Sequence, residues 1–427
     1  MEFIAHIPPA KNKRVVVIGA GFGGLKIAQK LKGSDYQVVL IDKNNYHQFQ
    51  PLFYQVATSG LEPSSICFPL RKIFQNASQT YIRVAEVQAI HSERNTVSTS
   101  IGAITYDYLI IATGCDTNFF GNKNVIEHAL GMKSVGEALA LRNHILQNFE
   151  NRTNDDEDNE KYLNIVIVGG GPTGVEIAGT LAEMRNHILP KDYPEIDFTK
   201  LKISILDNGD RLLSTFAPHS SEKAQQYLEE IGVIIRLKTL VKDFDGNTAS
   251  LGDGSTIISN TVIWAAGITG NSIPGISNNS IVRGNRYRVN EFNIVEGYNN
   301  IFAVGDICYQ VDKEFPDGHP QVAQVAMQQG RNLAKNLKNL IDKKPMEPVT
   351  YVDLGSMATI GRNKAVVEIR SFKLYGIAAW FIWMFVHLMS LVGVKNKILI
   401  FINWFWNYIT YDQSLRLIIK QKNNTKR

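Results

Sequence analysis

Two glycine-rich loops, each lying between an apolar run and a helical pattern, constrain the fold of this chain more than any other feature. The first follows residues 15–18 and the second follows residues 163–168. Each helical pattern leads to another apolar run that ends in an acid, Asp42 in the first copy and Asp207 in the second. One such loop is a weak signal. Two in the same register predict two Rossmann-type dinucleotide-binding folds.

The residue types in these loops suit a dinucleotide. Glycine permits a tight turn, lets the backbone approach a pyrophosphate, and lets the helix pack on the strand. Free N–H groups at the helix N-terminus then face the phosphates. Asp42 and Asp207 are expected to accept hydrogen bonds from ribose hydroxyls, and the carboxylate of Asp207 would repel a 2′-phosphate. The second fold is therefore predicted to prefer NADH over NADPH.

Charge is distributed unevenly along the chain. Residues 371–427 hold eight Lys and Arg residues against the single acid Asp412, a net +7 (8 − 1), whereas the whole chain carries +5. Four of the five tryptophans and two long apolar runs lie in the same segment. A basic segment of this kind favours an anionic membrane surface over nucleic acid as its partner.

The cysteines and the N-terminal residues indicate the cellular compartment in which the protein is expected. Cys67, Cys115 and Cys308 are far apart, with no CxxC pair and no histidine cluster, and we interpret them as reduced thiols with no metal site. The first residues lack the basic start and apolar core of a signal peptide, so the catalytic part is expected in the cytoplasm.

Three further strand ends carry a family resemblance. Residues 108–114 end in Ala-Thr-Gly, residues 301–306 end in Gly-Asp, and residues 262–267 form an apolar strand ending in Ala-Ala-Gly. With the two loops, they resemble the two-dinucleotide-binding-domain flavoprotein disulfide-reductase superfamily. The resemblance assigns FAD to Gly19, Gly21, Gly23, Gly24, Asp42, Ala112, Thr113, Gly114 and Asp306. It assigns NADH to Gly169, Gly171, Gly174, Asp207, Ala266 and Gly267.

The resemblance also implies the fold class, an α/β protein with its NADH domain inserted in a discontinuous FAD domain. An acidic run at residues 151–161, which reads as a solvated linker, places one boundary near residue 150. The predicted parts are residues 1–150 and 283–348 for FAD, 151–282 for NADH, and 349–427 for a helical membrane-binding region.

The electron acceptor is indicated by three other segments. Residues 46–57 contain no cysteine, which excludes a disulfide reductase and makes sulfide–quinone reduction unlikely on the family pattern. Instead they resemble the H-x-F-x-P-L-x-Y loop of type II NADH:quinone oxidoreductases, and residues 321–328 fit that family's AQxAxQ motif. Residues 354–365 resemble the segment before its membrane-binding tail.

This second resemblance implies electron transfer from NADH through FAD to a membrane quinone, without proton pumping. It places the quinone at Ala323, Gln324 and Gln328. The two glutamines are four residues apart on one helix face, and an amide can both donate to and accept from quinone oxygens. An exposed polar helix face would show the same spacing.

Two other residues are candidates. Glu176, two residues after Gly174, could order the nicotinamide or relay protons, or could be a helix N-terminal acid stabilised by the dipole. His387 is the titratable group inside the first apolar run of the tail, and is assigned either to the quinone channel or to interfacial packing.

The tail itself admits two interpretations. Residues 374–394 carry no formal charge and are long enough to cross a bilayer as one helix. Aromatic residues recur along both apolar runs, which favours helices lying in the interface. We predict peripheral, monotopic binding to the cytoplasmic face of a bacterial inner membrane. The sequence leaves open whether the protein forms a homodimer.

Two other functions remain open on the sequence. One is a soluble NADH oxidase or ferredoxin-type reductase, which the hydrophobic basic tail disfavours. The other is a redox-sensing membrane flavoprotein gated by NADH.

Overall fold

A computed structural model of the chain describes residues 2–154, 160–411 and 415–419. Its packing divides the chain into two compact units. The first contains residues 1–48, 67–116 and 268–353, and the second contains residues 49–66, 117–267 and 354–427. Residues 155–159 of the predicted acidic linker lie outside the described residues, as do four of the tail's basic residues, Lys420, Lys422, Lys426 and Arg427.

The described residues form twelve α-helices. In chain order they are α1 Phe22–Leu31, α2 Phe53–Ala57, α3 Pro63–Ile66, α4 Leu70–Ile73, α5 Lys123–His128, α6 Val135–Thr153, α7 Pro172–His187, α8 Leu189–Asp192, α9 Pro218–Glu230, α10 Ala323–Ile341, α11 Gly376–Ser390 and α12 Val394–Thr410.

The first unit is built on a five-stranded parallel sheet. Its strands, in spatial order, are Ile301–Ala303, Tyr108–Ile111, Arg14–Ile18, Gln37–Asp42 and Thr80–Val84. Val15, Val16 and Val17 on the central strand are fully buried, as expected for a parallel strand covered on both faces. The predicted strands at residues 15–18, 38–41, 108–111 and 301–303 are thereby confirmed.

The second unit repeats this arrangement with four parallel strands. Their spatial order is Ile234–Arg236, Lys202–Leu206, Asn164–Val168 and Thr261–Trp264. The glycine loop follows the strand Asn164–Val168 and leads directly into α7, so both predicted strand–loop–helix units form.

Smaller sheets complete the two units. Those of the first unit are Val87–His91 with Thr96–Thr99 and Gly102–Thr105, Ile281–Val282 with Arg286–Arg288 and Cys308–Tyr309, and Tyr46–Gln48 with Cys67–Pro69. Those of the second are Val241–Phe244 with Thr248–Leu251 and Thr256–Ile258, and Ser356–Thr359 with Ala365–Ile369 and Phe372–Tyr375. Two further strands are Cys115–Thr117 and Ile268–Gly270.

One predicted boundary falls inside a helix and another falls at the end of a strand. Residue 150 lies within α6 and residue 282 ends the strand Ile281–Val282; the assignment of domains at these positions stays a prediction. The alanine-rich residues 128–148 have a composition that predicts a helix, but the helix α6 begins only at Val135. Ser134 accepts a hydrogen bond from the backbone N–H of Glu137, whose side chain binds back to Ser134. This capping box fixes the helix start.

The apolar tail forms two helices. The uncharged run at residues 374–394 contains the 15-residue α11, which ends at Ser390, and Gly393 adopts a φ of +83° just before α12. Glycine tolerates this left-handed backbone, which ends a helical path. Among the described residues, no helix is long and apolar enough to cross a bilayer.

A ladder of side-chain amides runs along one face of α10 and holds the extended segment 345–353, which we call the strap. Gln328 binds the backbone of Val352 in both directions, donating to its carbonyl at 2.8 Å and accepting from its N–H at 3.0 Å. Asn336 does the same for Glu347, at 2.8 Å for each bond. Asn332 and Asn339 donate to the carbonyls of the strap's prolines, at 3.2 and 3.1 Å. The strap is thus attached mainly by α10 side chains.

Replacing Asn336 by Leu should loosen the strap. Asn336 is fully buried, and its loss removes two hydrogen bonds to the backbone of Glu347, each worth ~0.5–1.5 kcal/mol. We expect the Glu347 amide hydrogen to exchange roughly 30-fold faster, since ~1.4 kcal/mol corresponds to tenfold. Hydrogen exchange measured by mass spectrometry on a strap peptide tests this. The control is Asn339→Leu, which removes a single hydrogen bond in a more exposed position. Equal exchange of the Glu347 amide hydrogen in the two variants would contradict the ladder.

Candidate functional site

The first glycine loop brings together the residues predicted for FAD. Gly19 has a φ of +97°, and a Cβ on it would overlap the carbonyl oxygen of Ala112. A Cβ on Gly24 would overlap the carbonyl oxygen of Gly19. By contrast, Gly21, the residue before α1, has open space where its Cβ would stand. The loop therefore has room for a pyrophosphate at Gly21 and none for side chains at Gly19 and Gly24.

Helix α10 packs against this loop through small residues. A Cβ on Gly23 would lie 3.3 Å from the carbonyl oxygen of Ala326, and one on Gly330 would lie 2.8 Å from the carbonyl oxygen of Gly23. Ala326 also lies close to Gly305, because a Cβ built on Gly305 would lie 3.1 Å from the Cβ of Ala326. Part of the AQxAxQ motif thus serves close helix packing.

Two carboxylates complete the predicted FAD residues. Asp42 accepts from the backbone N–H of Ala20 and of Asn44, each at 2.7 Å. Burial raises the pKa of Asp42, and those two hydrogen bonds act against the rise. Asp306 accepts a hydrogen bond from the thiol of Cys115 at 3.0 Å. Sequence reasoning treated Cys115 only as a reduced thiol and missed this contact.

The turn after the strand Tyr108–Ile111 is fixed from another segment. The Thr113 hydroxyl donates to the carbonyl of Asn271 at 2.7 Å, and Gly114 has a φ of +69° with open space at its Cβ position. Gly19, Gly24, Ala112 and Thr113 therefore converge at one edge of the sheet, where an FAD pyrophosphate and ribityl chain would fit.

The predicted quinone residues lie at the start of α10. Ala323 is the first residue of this helix. Gln324 donates to a carboxylate oxygen of Asp353 at 3.2 Å, and the amide of Gln328 is engaged by Val352, as described above. Both glutamines therefore have protein partners in the strap. Their assignment to quinone stays a prediction.

The second glycine loop repeats the first. Gly169 has a φ of +110°, and a Cβ on it would lie 2.6 Å from the carbonyl oxygen of Ala265. A Cβ on Gly174 would overlap the carbonyl oxygen of Gly169, while Gly171 has open space. Asp207 accepts from the backbone N–H of Gly170 at 2.5 Å and of Gly209 at 2.6 Å.

A cavity opens beside this loop and suits a dinucleotide. It holds about 1280 Å³, counting its open mouth, and Gly169, Asp207 and Ala266 line it. Phe119 and Phe120 line it as well, and a Cβ on Gly267 would lie 3.2 Å from the ring of Phe120. The two phenylalanines belong to none of the motifs and were missed by sequence reasoning.

Glu176 is the fifth residue of α7 and lies in a cluster with α2 and the C-terminal region. The residue keeps a partly exposed surface, yet burial of its carboxyl group raises the pKa to about 8, against a hydrogen bond from the Thr359 backbone. The indole of Trp383 also favours the ionised form, although its N–H has no partner within hydrogen-bond geometry among the described residues. Burial and the neighbouring Glu176 raise the pKa of Tyr54. At neutral pH Glu176 is therefore mainly a neutral acid.

His387 packs on the other side of this cluster. Its ring stacks on Trp383 with centroids 3.9 Å apart, and its Nδ1 contacts the Trp383 carbonyl at 2.8 Å. Burial lowers the pKa of His387 to about 4. The imidazole is therefore neutral at pH 7, and donates its Nδ1 proton to this carbonyl. Its assignment to the quinone channel stays a prediction.

Comparison with known proteins agrees with this geometry. The sequence profile of the pyridine nucleotide-disulphide oxidoreductase family matches residues 13–330, and that of the NDH2 C-terminal domain matches residues 354–410. The type II NADH:quinone oxidoreductase Ndh of Mycobacterium tuberculosis is 36% identical, covering 97% of this chain and 92% of that protein.

Solved structures share the fold. NDH2 from Plasmodium falciparum, in complex with NADH, superposes with a TM-score of 0.88 at 22% identity, over 96% of this chain and 100% of that one. The sulfide:quinone oxidoreductase of Aquifex aeolicus gives 0.71 at 20% identity, over 90% and 92%. The chain belongs to the type II NADH:quinone oxidoreductase family, within the pyridine nucleotide-disulphide oxidoreductase superfamily.

Proposed function

We propose that this protein oxidises NADH with bound FAD and reduces a membrane quinone. The observation that carries the proposal is the pair of glycine loops, each with its own strand-end carboxylate, in a chain continuous with an NDH2-type C-terminal domain. The relative from Mycobacterium tuberculosis bears this activity in its name. FAD, when bound, supplies the two-electron chemistry, and the protein binds and orients the reactants.

The residues of the chain divide this work. Asp42, Gly19 and Gly24 are proposed to hold FAD, and Asp207 with Gly169 and Gly174 to hold NADH. Gln324 is proposed to bind a quinone oxygen, and Gln328 to fix the strap beside it. Glu176, neutral at pH 7, can donate a proton during quinone reduction.

Exposed rings on α11 and α12 support membrane attachment. Phe381, Phe385, Phe405 and Trp406 are each more than half exposed, which is unusual for large apolar side chains in contiguous positions. Lys395 and Lys397 lie in the first turn of α12. We propose that this surface inserts into the interface of an anionic membrane on its cytoplasmic face.

The first prediction concerns nucleotide choice. A 2′-phosphate held roughly 5 Å from the Asp207 carboxylate would be repelled by ~3 kcal/mol at a partly exposed site. We expect kcat/KM for NADH to exceed kcat/KM for NADPH about 100-fold. The variant Asp207→Asn should have a smaller ratio of these two values. Steady-state kinetics with both nucleotides measures this. Similar kcat/KM values for the two nucleotides in the unmodified protein would refute the role of Asp207.

The second prediction separates the two glutamines. Gln324→Leu should lower kcat/KM for quinone by roughly tenfold to a hundredfold, since a lost or unpaired hydrogen bond is worth ~1–3 kcal/mol. Flavin bleaching by NADH, followed by stopped flow, should be unchanged. Gln328→Leu should give a similar loss together with a less protected strap, because its amide holds Val352.

Asn332→Leu is the matched control for that experiment. It removes one rung of the same ladder one turn further along α10, and should leave quinone kinetics close to those of the unmodified protein. Unchanged quinone kinetics in Gln324→Leu, or equal loss in both half-reactions, would remove Gln324 from the quinone site.

The third prediction tests the membrane surface. Each exposed ring that enters lipid contributes ~1.5 kcal/mol or more, so the double variant Phe385→Ser/Phe405→Ser should bind anionic vesicles about 100-fold more weakly. Ile258→Ser, which removes an equally exposed apolar side chain from a small sheet, should bind normally. Vesicle sedimentation at two salt concentrations measures both effects. Equal binding of the two variants would place the membrane contact elsewhere.

A further inference from the structure

A short turn at residues 118–121 carries the two phenylalanines that line the cavity beside the second glycine loop. They are adjacent in sequence but lie in different surroundings. Phe119 packs on Trp264, with ring centroids 6.3 Å apart, and on the buried core around that strand end. Phe120 is 67% exposed. Packing within the protein therefore accounts for the first ring and leaves the second uncovered.

The turn is attached to the cavity lining on both sides. At its start, Asn118 donates its backbone N–H to the carbonyl of Gly267 at 3.0 Å, and its own carbonyl accepts from the Trp264 indole at 2.9 Å. Just after the turn, the side-chain amide of Asn122 donates to the carbonyl of Lys242 at 2.9 Å. Trp264 and Lys242 both line the cavity. The position of the turn beside the cavity is thus fixed by hydrogen bonds at both ends.

Phe120 has an unusual backbone conformation. Its φ is +53°, a left-handed value that costs free energy for a residue with a side chain. The side chain of Asn118 stabilises this conformation by accepting the Phe120 N–H at 2.8 Å. Glycine or asparagine would adopt it more easily, and an exposed ring offsets little of the cost through burial. Because such conformations cluster at ligand-binding positions, the exposed ring is a candidate ligand contact.

The ring lies at one side of the second glycine loop. A Cβ built on Gly267 would lie 3.2 Å from Cζ of Phe120, and Gly267 follows the strand Thr261–Trp264. Asp207 follows the strand on the opposite side of Asn164–Val168, the strand that leads into the glycine loop. Since neighbouring strands are ~4.8 Å apart, these two strand ends are separated by roughly 10 Å. Asp207 and the Phe120 ring therefore lie on opposite sides of the loop.

This order assigns the ring to one half of the nucleotide. Asp207 is proposed to bind the ribose of the adenosine half, and the glycine loop to bind the pyrophosphate. A dinucleotide that continues in the same direction brings its nicotinamide half to the end of the strand Thr261–Trp264, where Phe120 lies. This step rests on the proposed function.

We propose that Phe120 is a positioning residue for NADH, whose ring covers the nicotinamide half of the bound nucleotide. The flat faces of the two rings suit such a contact. Binding buries the exposed ring, and the left-handed backbone, held by Asn118, keeps the ring at the strand end before the nucleotide arrives. Phe119 anchors the same turn in the core.

The test measures equilibrium binding of NAD⁺ and of ADP to the full-length protein with oxidised FAD, since neither ligand reduces the flavin. ADP contains the adenosine half with both phosphates and lacks the nicotinamide half. Phe120→Asn removes the ring and keeps a residue that tolerates positive φ. It should bind NAD⁺ roughly tenfold more weakly, as expected for the lost burial of one ring face, and should bind ADP like the unmodified protein. Isothermal titration calorimetry measures both dissociation constants.

Thermal unfolding separates this role from a structural one. Because asparagine suits a φ of +53° better than phenylalanine, Phe120→Asn should unfold at the same or a higher temperature than the unmodified protein. A lower unfolding temperature would assign the ring to packing and overturn the proposal. Phe120→Tyr keeps the ring and should keep the affinity for NAD⁺. Ile126→Ser, which removes a side chain that is 53% exposed on the neighbouring helix α5, should bind both ligands normally.

The binding results distinguish this proposal from the proposed function. Unchanged NAD⁺ affinity in Phe120→Asn would remove the ring from the nucleotide site, and equal loss of NAD⁺ and ADP affinity would place it on the adenosine half. Either result overturns the positioning role and leaves the proposed function intact. An unmodified protein that binds neither NAD⁺ nor ADP would refute the nucleotide site, and with it both proposals.

Discussion

Both dinucleotide folds depend on a helix lying closer to the preceding loop than any side chain permits. A Cβ on Gly24 or Gly174 would overlap a carbonyl oxygen of its own loop. This approach places the helix N-terminus at the strand end, where its N–H groups face a pyrophosphate. The same loops position the acids, because Asp42 and Asp207 are each held by a backbone N–H of the loop, at Ala20 and Gly170.

The second loop also determines the environment of Glu176. Glu176 is two positions after Gly174, so the contact that closes the dinucleotide turn fixes where this carboxyl group lies along α7. The remaining surroundings come from distant segments: burial raises the pKa of Glu176, and a hydrogen bond from the Thr359 backbone acts against this rise. A nucleotide-binding turn and a proton-donating acid thus share one helix start. A change that shifts this helix would alter both the nucleotide-binding turn and the position of the Glu176 carboxyl group.

Local patterns predicted the parts of the structure that local physics decides. The two strand–loop–helix units, the strand-end acids and the Ala-Thr-Gly turn follow from backbone sterics and short-range hydrogen bonds. The start of α6 was placed seven residues too early, because alanine content was weighed above the Ser134–Glu137 capping box.

Such local patterns do not predict contacts between residues that are far apart in the sequence. Tyr54 and Thr359 are 305 residues apart in sequence, and no spacing rule joins the five-residue helix α2 to a strand end so far away. Gln328 was assigned to quinone because its amide can both donate and accept, and the same property lets it bind the backbone of Val352. Chemistry alone does not distinguish these partners.

The amide ladder on α10 has a consequence for how the strap can evolve. Strands usually hold their neighbours through backbone groups on both sides, so attachment depends little on which side chains are present. Here the helix supplies side chains and the strap supplies mainly backbone atoms. The strap can therefore exchange many of its own residues without loosening, whereas each Asn or Gln on the helix is tied to its position. Substitutions should therefore accumulate more freely in the strap than on the contacting face of α10, because residues of α10 specify the path of the strap.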